Sequence, residues 1–397
     1  MLRRSLIMRL FDGFSIRRWN DQIRPVEFVE MDKHAHKMAI AYCLARYEED
    51  AGEQVDWAAL VRGGVFELLR RVVLSDIKSP IQARIRNRFP DAHRQLGEWV
   101  YRQLMPSIDH PAVLEELRAY LLDEPGALDS LSRRILDAAH LYSSYWEFQV
   151  LRRLNPEDRI TARIHQLMTE DLEPHMALVG MRKVMARRPV ADFLDLVGRL
   201  RFQIRWGQTP RMPVTSVLGH SGMVACLTYF MLREVGACPR RLRNGFFGGL
   251  FHDLPESVTR DIVSPVKGAV PDLPQVIREI EEELAREEIY PLVEAHWVDE
   301  ISYYTTDEFK SKVRQGGRVV AVTSAEIDQR WNSDEYDPMD GELVRVSDHL
   351  AAFVEAYRSI ATGIKTSQLE EGMRIPEQWV GRRVGGIDVG AIFADFR

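Results

Sequence analysis

Apolar residues recur at three- and four-residue steps along most of the chain. Ile135, Ala138, Ala139, Tyr142, Tyr145 and Trp146 follow that spacing, and so do Leu343, Val346, Leu350, Phe353, Val354 and Tyr357. This is the period that lines one face of a helix. Strand-like alternation is nearly absent; residues 319–323, just after Gly316-Gly317, are the closest candidate. Proline- and glycine-bearing breaks at 106–111, 123–126, 155–156, 206–213, 263–274 and 334–341 separate the helical stretches. The pattern predicts an all-α fold.

The sequence also resembles itself. Ser75-Asp76-Ile77-Lys78-Ser79-Pro80-Ile81 reads almost as Arg260-Asp261-Ile262-Val263-Ser264-Pro265-Val266, an offset of 185. Arg18-Trp19 matches Arg205-Trp206 at 187, and Phe66 matches Phe251 at 185. A histidine opens a small, apolar helix in both halves: His34 or His36 in the first, His220 in the second. Ile135-Leu136-Asp137 resembles Val346-Ser347-Asp348 at 211, so the second copy carries an insertion before that point. Repeats in one order at near-constant offset predict a tandem duplication, with one unit over 1–160 and another over 161–397.

With 45% apolar and 28% charged residues, the 397-residue chain can bury a large core, which excludes disordered, collagen-like and disulfide-stapled classes. A net charge of −6 gives no electrostatic reason to expect nucleic acid or an anionic membrane as partner. Cys43, Cys226 and Cys238 cannot all pair and form no CxxC, which points to a reducing, cytoplasmic setting. Arg9 and Asp12 interrupt the apolar run of the basic N-terminus too early for a secretion signal. Residues 212–232 hold no Asp, Glu, Lys or Arg and could span a bilayer by length. Pro213, Ser216, Gly219, His220, Ser221 and Gly222 within them favour a loop followed by a buried helix.

Candidate chemistry gathers in the second half. His252-Asp253 follows the small, apolar stretch 245–251, with His220 upstream and Asp348 downstream. Two imidazoles and two carboxylates suit one divalent cation, with positions left for water and substrate. Side chains adjacent in sequence do not share a helix face, so His252-Asp253 can serve one ion only at a helix end or distorted turn. The acidic run 279–288 reads as a solvated face.

His220-Ser-Gly-Met-Val-Ala225, Phe251-His-Asp-Leu-Pro-Glu256, Thr259-Arg-Asp-Ile-Val-Ser-Pro-Val-Lys267 and Val346-Ser-Asp348 together resemble the HD-domain metal-dependent phosphohydrolases over roughly 195–365. The nearest resemblance is to the bacterial 5′-deoxynucleotidase branch, which also carries Arg-Trp ahead of its first metal histidine. The resemblance implies that His220, His252, Asp253 and Asp348 hold one divalent metal ion (Mn, Co, Zn, Fe or Mg). It implies that Glu256 orients or deprotonates the attacking water and that Asp261 assists proton transfer or contacts the sugar. Arg205 and Lys267 would meet the substrate phosphate, Trp206 would wall off the sugar, and Arg211 is a further phosphate candidate. The expected reaction is removal of phosphate from (deoxy)nucleoside monophosphates by metal-activated water. The alternatives are hydrolysis of another phosphate ester or signalling nucleotide, or a nucleotide-sensing scaffold without turnover. The partner implied is a small nucleotide, with no nucleic acid or membrane, and with a homo-oligomer or an intrachain pseudo-dimer as the assembly.

Two departures stand out. Arg260 replaces the glycine usual before the Asp of Thr-x-Asp in that branch, and only His296 lies between His252-Asp253 and Asp348, which favours a mononuclear site. In the first copy Glu67-Leu68 stands where the second has His252-Asp253, and Arg71 where it has Glu256. That copy is therefore expected to be a degenerate HD unit without metal chemistry, packed against the catalytic one.

Overall fold

The protein, described over residues 2–75, 77, 79–260, 270 and 272–396 of a computed structural model, starts its main helices on caps that its sequence supplies. Asp56 accepts from the Ala59 N–H, Asp129 from Ser132, Ser216 from Gly219 and Asp340 from Leu343. Each cap satisfies an amide that the first turn would leave without a partner.

The first half runs through α1 (Arg4–Phe11), α2 (Glu30–Asp50), α3 (Trp57–Leu74), α4 (Ser79–Arg88), α5 (Pro90–Leu104), α6 (Pro111–Leu121) and α7 (Ser130–Arg152). Then come α8 (Arg159–Leu172), α9 (Val179–Met185) and α10 (Pro189–Arg199), which lead into α11 (Val217–Glu234), α12 (Pro239–Phe251) and the short α13 (Glu256–Thr259). Further on, helices Leu273–Leu284 and Val298–Thr305 and an antiparallel hairpin precede the long helix Gly341–Ala361. The hairpin pairs Lys312–Gln315 with Arg318–Ala321 around Gly316-Gly317, both at positive φ, so the strand expected at 319–323 is real and sits slightly earlier.

At the centre α2 and α11 lie against each other, and both are buried almost all round. That accounts for the uncharged stretch at 212–232: α11 faces α2, α12 and the helix Gly341–Ala361 rather than lipid. Among the described residues no helix is long and apolar enough to cross a membrane. Gly222 lets α2 approach, since a Cβ there would stand 2.8 Å from the Ala35 Cβ.

Several local features of the first half recur in the second at an offset near 187. Arg17 pairs with Val29 across a two-residue ladder, and Ile204 pairs with Ser216, both 187 residues on. Trp19 and Trp206 both take φ 55. Their indoles donate to Glu147 (2.8 Å) and Glu355 (2.7 Å) respectively. Gly64 abuts Met38 as Gly249 abuts Ala225, again 187 residues on from Met38. Ser75 and Arg260 end α3 and α13 at φ 52 and 68. The leading helices cross over, α1 onto α11 and α10 onto α2. Residue 160, where the sequence reading divides the chain, falls in the first turn of α8. One continuous hydrophobic core runs through both halves.

Candidate metal centre

Three helices deliver the ligands. His220 sits in the first turn of α11, fully buried; His252 stands at the C-terminal end of α12; Asp348 projects from the middle of Gly341–Ala361. Ligand atoms of His220, His252 and Asp348 all lie within 4.8 Å of one another. His220 Nε2 is 2.9 Å from Asp348 Oδ1. Asp253 joins them through His252: its Oδ2 lies 3.2 Å from His252 Nε2. Because α12 ends at His252, Asp253 is in a turn and both side chains can face one point, as their adjacency requires.

The protonation pattern suits a cation. His252 Nδ1–H donates to the Gly249 carbonyl at 2.8 Å, which fixes the tautomer and turns Nε2 toward the other ligands. Burial would lower the His252 pKa, but Asp253 and Asp348 overcome it and push it up to about 9. Burial would raise the Asp253 carboxyl, but His252, Arg205 and His220 hold it down at about 2. Asp348 is held well below the usual carboxylate range, against burial, by His220, His252 and Arg205. Asp253 Oδ2 is buried without a well-aligned hydrogen bond. The carboxylates that favour a proton on His252 would favour a divalent cation there in its place, and Asp253 Oδ2 would be free to turn to that cation, so the residues fit one.

Behind the ligands lies a carboxylate that sequence reasoning missed. Glu355, two turns beyond Asp348, is fully enclosed. It accepts from Trp206 Nε1 at 2.7 Å and from Thr215 Oγ1 at 2.8 Å, and its Oε1 is 3.4 Å from His220 Nδ1. That last distance is a contact rather than a well-formed bond; it places a negative charge behind the histidine. The seven-residue step from Asp348, which keeps both on one helix face, was the available signal.

The remaining expected residues are placed unevenly. Arg205 lies between Asp253 (3.5 Å) and Glu355 (3.7 Å), beside the centre. Trp206 is held by Glu355 and by Gly372, and Trp19 makes the same bond in the half without ligands, so this indole serves the fold in both. Arg211 is spent on the Thr215 side chain and on the carbonyls of Arg205, Pro213 and Thr215, which removes it as a phosphate candidate. Glu256 lines a pocket with His252 and Asp253. Asp261 and Lys267 lie outside the described residues. Arg260 adopts φ 68 and ψ 159, which explains why glycine is usual at that place.

The pocket beside His252 has an acidic wall of Glu256, Glu281, Glu282, Asp307 and Glu308, with Arg278 the one arginine or lysine among its described lining residues. Glu281 and Glu282 belong to the run expected to be a solvated face, which is exposed at Glu279, Glu282, Glu283, Glu287 and Glu288 and also borders this pocket.

In the first half the corresponding place is filled from within the chain. At 187 residues before His220 stands Lys33, not His34 or His36. Its Nζ lies 2.7 Å from His140 Nδ1, and His140 Nδ1 lies 2.8 Å from Glu67 Oε1, which also binds Lys37 through its other oxygen. His140 thus meets Lys33 from α7, one turn past Asp137, the residue expected there. His34 instead touches Cys226 and His36 bonds the Leu194 carbonyl.

No curated protein and no solved structure matches the chain. Residues 197–379, which contain the four ligands and Glu355, match a family model described as HD domain. Over that stretch the chain is similar to an HD domain.

Proposed function

We propose that the second half is a metal-dependent phosphohydrolase, specifically a 5′-nucleotidase acting on (deoxy)nucleoside monophosphates. The observation that carries the hydrolase reading is the convergence of His220, His252, Asp253 and Asp348, with His252 locked by Gly249 so that Nε2 faces the centre. A divalent ion held there supplies Lewis-acid polarisation of a phosphoryl oxygen and activation of water. The chain's own groups complete the chemistry. Glu256, at the pocket wall, is the carboxylate in place to accept a proton. Arg205, whose guanidinium is held against Asp253, faces charge on the phosphoryl group. Glu355 keeps Arg205, Trp206 and the back of His220 in fixed positions. The nucleotide preference rests on the resemblance of Arg205-Trp206 and the His252–Glu256 motif to the deoxynucleotidase branch. The test is metal analysis of purified protein with a panel of nucleotides and other phosphate esters under several divalent ions. Turnover of 5′-monophosphates, abolished in Asp253→Ala, is expected. Failure on every phosphate ester tried would sink the hydrolase reading, and turnover confined to other esters would sink the nucleotidase reading.

We further infer that the first half is a duplicated, non-catalytic copy in which the Lys33 side chain occupies the place that His220 and a metal take in the other. The shared registers support this, as does the ring of Glu67, His140 and Lys33 at the equivalent of His252, Asp348 and His220. Burial pushes the Lys33 amine down to about 7, with Arg18 adding to the effect. The two copies face each other along α2 and α11 as an intrachain pseudo-dimer. Metal stoichiometry reads this directly: one ion per chain in the wild type, and none in His220→Ala with Asp348→Ala. An ion retained by that double variant would place a working site in the first half and overturn the inference.

A further inference from the structure

A second cavity, of about 380 Å³, opens next to the acidic pocket along the chain. The segment 306–311 runs between them: Thr306, Asp307 and Glu308 face the acidic pocket, Phe309, Lys310 and Ser311 the second one. Its other walls come from the hairpin (Ala321), from Glu342 and Arg345 on the helix Gly341–Ala361, and from Trp379 and Arg382–Val384. Arg382 and Arg383 lie beyond the stretch that matches the HD domain.

The charge here is of the opposite sign. Lys310, Arg345, Arg382 and Arg383 line the cavity against one carboxylate, Glu342. Glu342 is already engaged by the Ser324 N–H and by Ser311 Oγ. Lys310 is paired with Asp307 at 2.8 Å, and Arg383 with Asp388 at 3.5 Å. Among the described residues Arg345 and Arg382 pair with no carboxylate. Two guanidiniums left without counter-charge on one small cavity make a planar, multidentate anion receptor. The apolar wall is equally specific. Phe309 also touches the His252 ring, 6.0 Å between centroids, and Trp379 donates to His349 Nδ1 at 3.1 Å.

The cavity is coupled to the metal centre by position. Arg345 precedes Asp348 by three residues on one helix, so the two are surface neighbours one turn apart. The volume falls within the range of small-molecule sites.

We propose that this cavity binds an organic phosphate, its phosphate groups on Arg345 and Arg382 and its apolar body against Phe309 and Trp379. The site is separate from the four metal ligands and does not depend on which ester the centre hydrolyses. Calorimetric titration of the full chain with adenosine diphosphate and with inorganic pyrophosphate, in EDTA and at two salt concentrations, tests it. Both probes should bind, the nucleotide more tightly, and binding should weaken with salt. Arg345→Ala with Arg382→Ala, both at exposed positions, should weaken binding about tenfold or more, the loss of one to two charge-assisted contacts. Arg345→Lys should recover part of it, and Glu281→Gln, on the opposite pocket, should leave it unchanged. Folding of each variant is checked by its unfolding transition. Unaltered binding in the double arginine variant, or binding that appears only when a divalent ion is restored, would overturn the proposal. Failure of the hydrolase reading would leave these titrations intact, because they are run without metal.

Discussion

Glu355 offers a test in which structural and chemical roles separate, because the protein contains its own control. In Glu355→Gln the amide oxygen still accepts from Trp206 or Thr215, but the negative charge between Arg205, Arg211 and His220 is lost. Removing one member of a buried ionic cluster costs about 3–5 kcal/mol. Glu147→Gln perturbs the first half in the same way, since Glu147 accepts from Trp19 at 2.8 Å, Arg18 at 3.0 Å and Arg201 at 2.8 Å and is equally buried. Both variants should therefore unfold at lower urea, by similar amounts. Only Glu355 stands behind a metal ligand, so only Glu355→Gln should also weaken divalent-metal affinity, by about ten- to a hundredfold. Urea unfolding followed by circular dichroism reads the first quantity, and competition with a chromophoric chelator reads the second. Equal metal affinity in the two variants would refute the assignment of Glu355 as the group that positions His220.

Three further outcomes follow from the geometry. Arg260→Gly removes a side chain from a φ 68, ψ 159 conformation that costs an L-residue about 1–3 kcal/mol, so even after the greater chain entropy of glycine it should stabilise by about 1 kcal/mol; a lower thermal midpoint would contradict this. Gly222→Val places atoms where Ala35 Cβ already stands and should destabilise by about 1–3 kcal/mol or more in urea unfolding, with a neutral result excluding close approach of α2 and α11. Acid should also weaken the fold. Burial holds His34 and His36 down at about 3, so between pH 6.5 and 3 the unfolded chain binds protons that the folded one does not, and stability falls as pH drops, by up to about 1.4 kcal/mol per unit for each. Asp32, raised to about 6 by burial, acts in the opposite sense and offsets one of them below pH 6. A urea midpoint unchanged between pH 7.5 and 5.5 would count against buried, neutral histidines.

Much of the fold and the site was legible because the relevant signals are local. The three-to-four spacing marked α7 and the helix Gly341–Ala361, and an uncharged stretch rich in small residues marked α11 as buried. Of the four candidate ligands the structure groups His220, His252 and Asp348, with Asp253 beside His252, because imidazole and carboxylate at those positions have few other uses together. What escaped was register. Looking for a histidine in the first half led to His34 and His36, which share a residue type with His220; Lys33 shares its position. A lysine in a small, apolar helix carries no sequence sign of what it meets, since His140 and, beyond it, Glu67 come from α7 and α3, far away in sequence. Glu281 and Glu282 lie on the largely solvated face that the acidic run predicts, but an amphipathic acidic helix does not say which pocket it borders. Arg345 and Arg382, 37 residues apart, meet at one cavity only through the path of the C-terminal segment.

The seam between α2 and α11 lies within one polypeptide, and this changes what substitutions it can carry. Two identical subunits meeting across a two-fold axis must display every change twice, so one could not trade a histidine for a lysine while the other kept it. Joined covalently, α2 and α11 carry Lys33 on one side of the seam and His220 on the other, and no dilution can separate them. One half is free to drift in sequence as long as it still presents the surface on which the other rests.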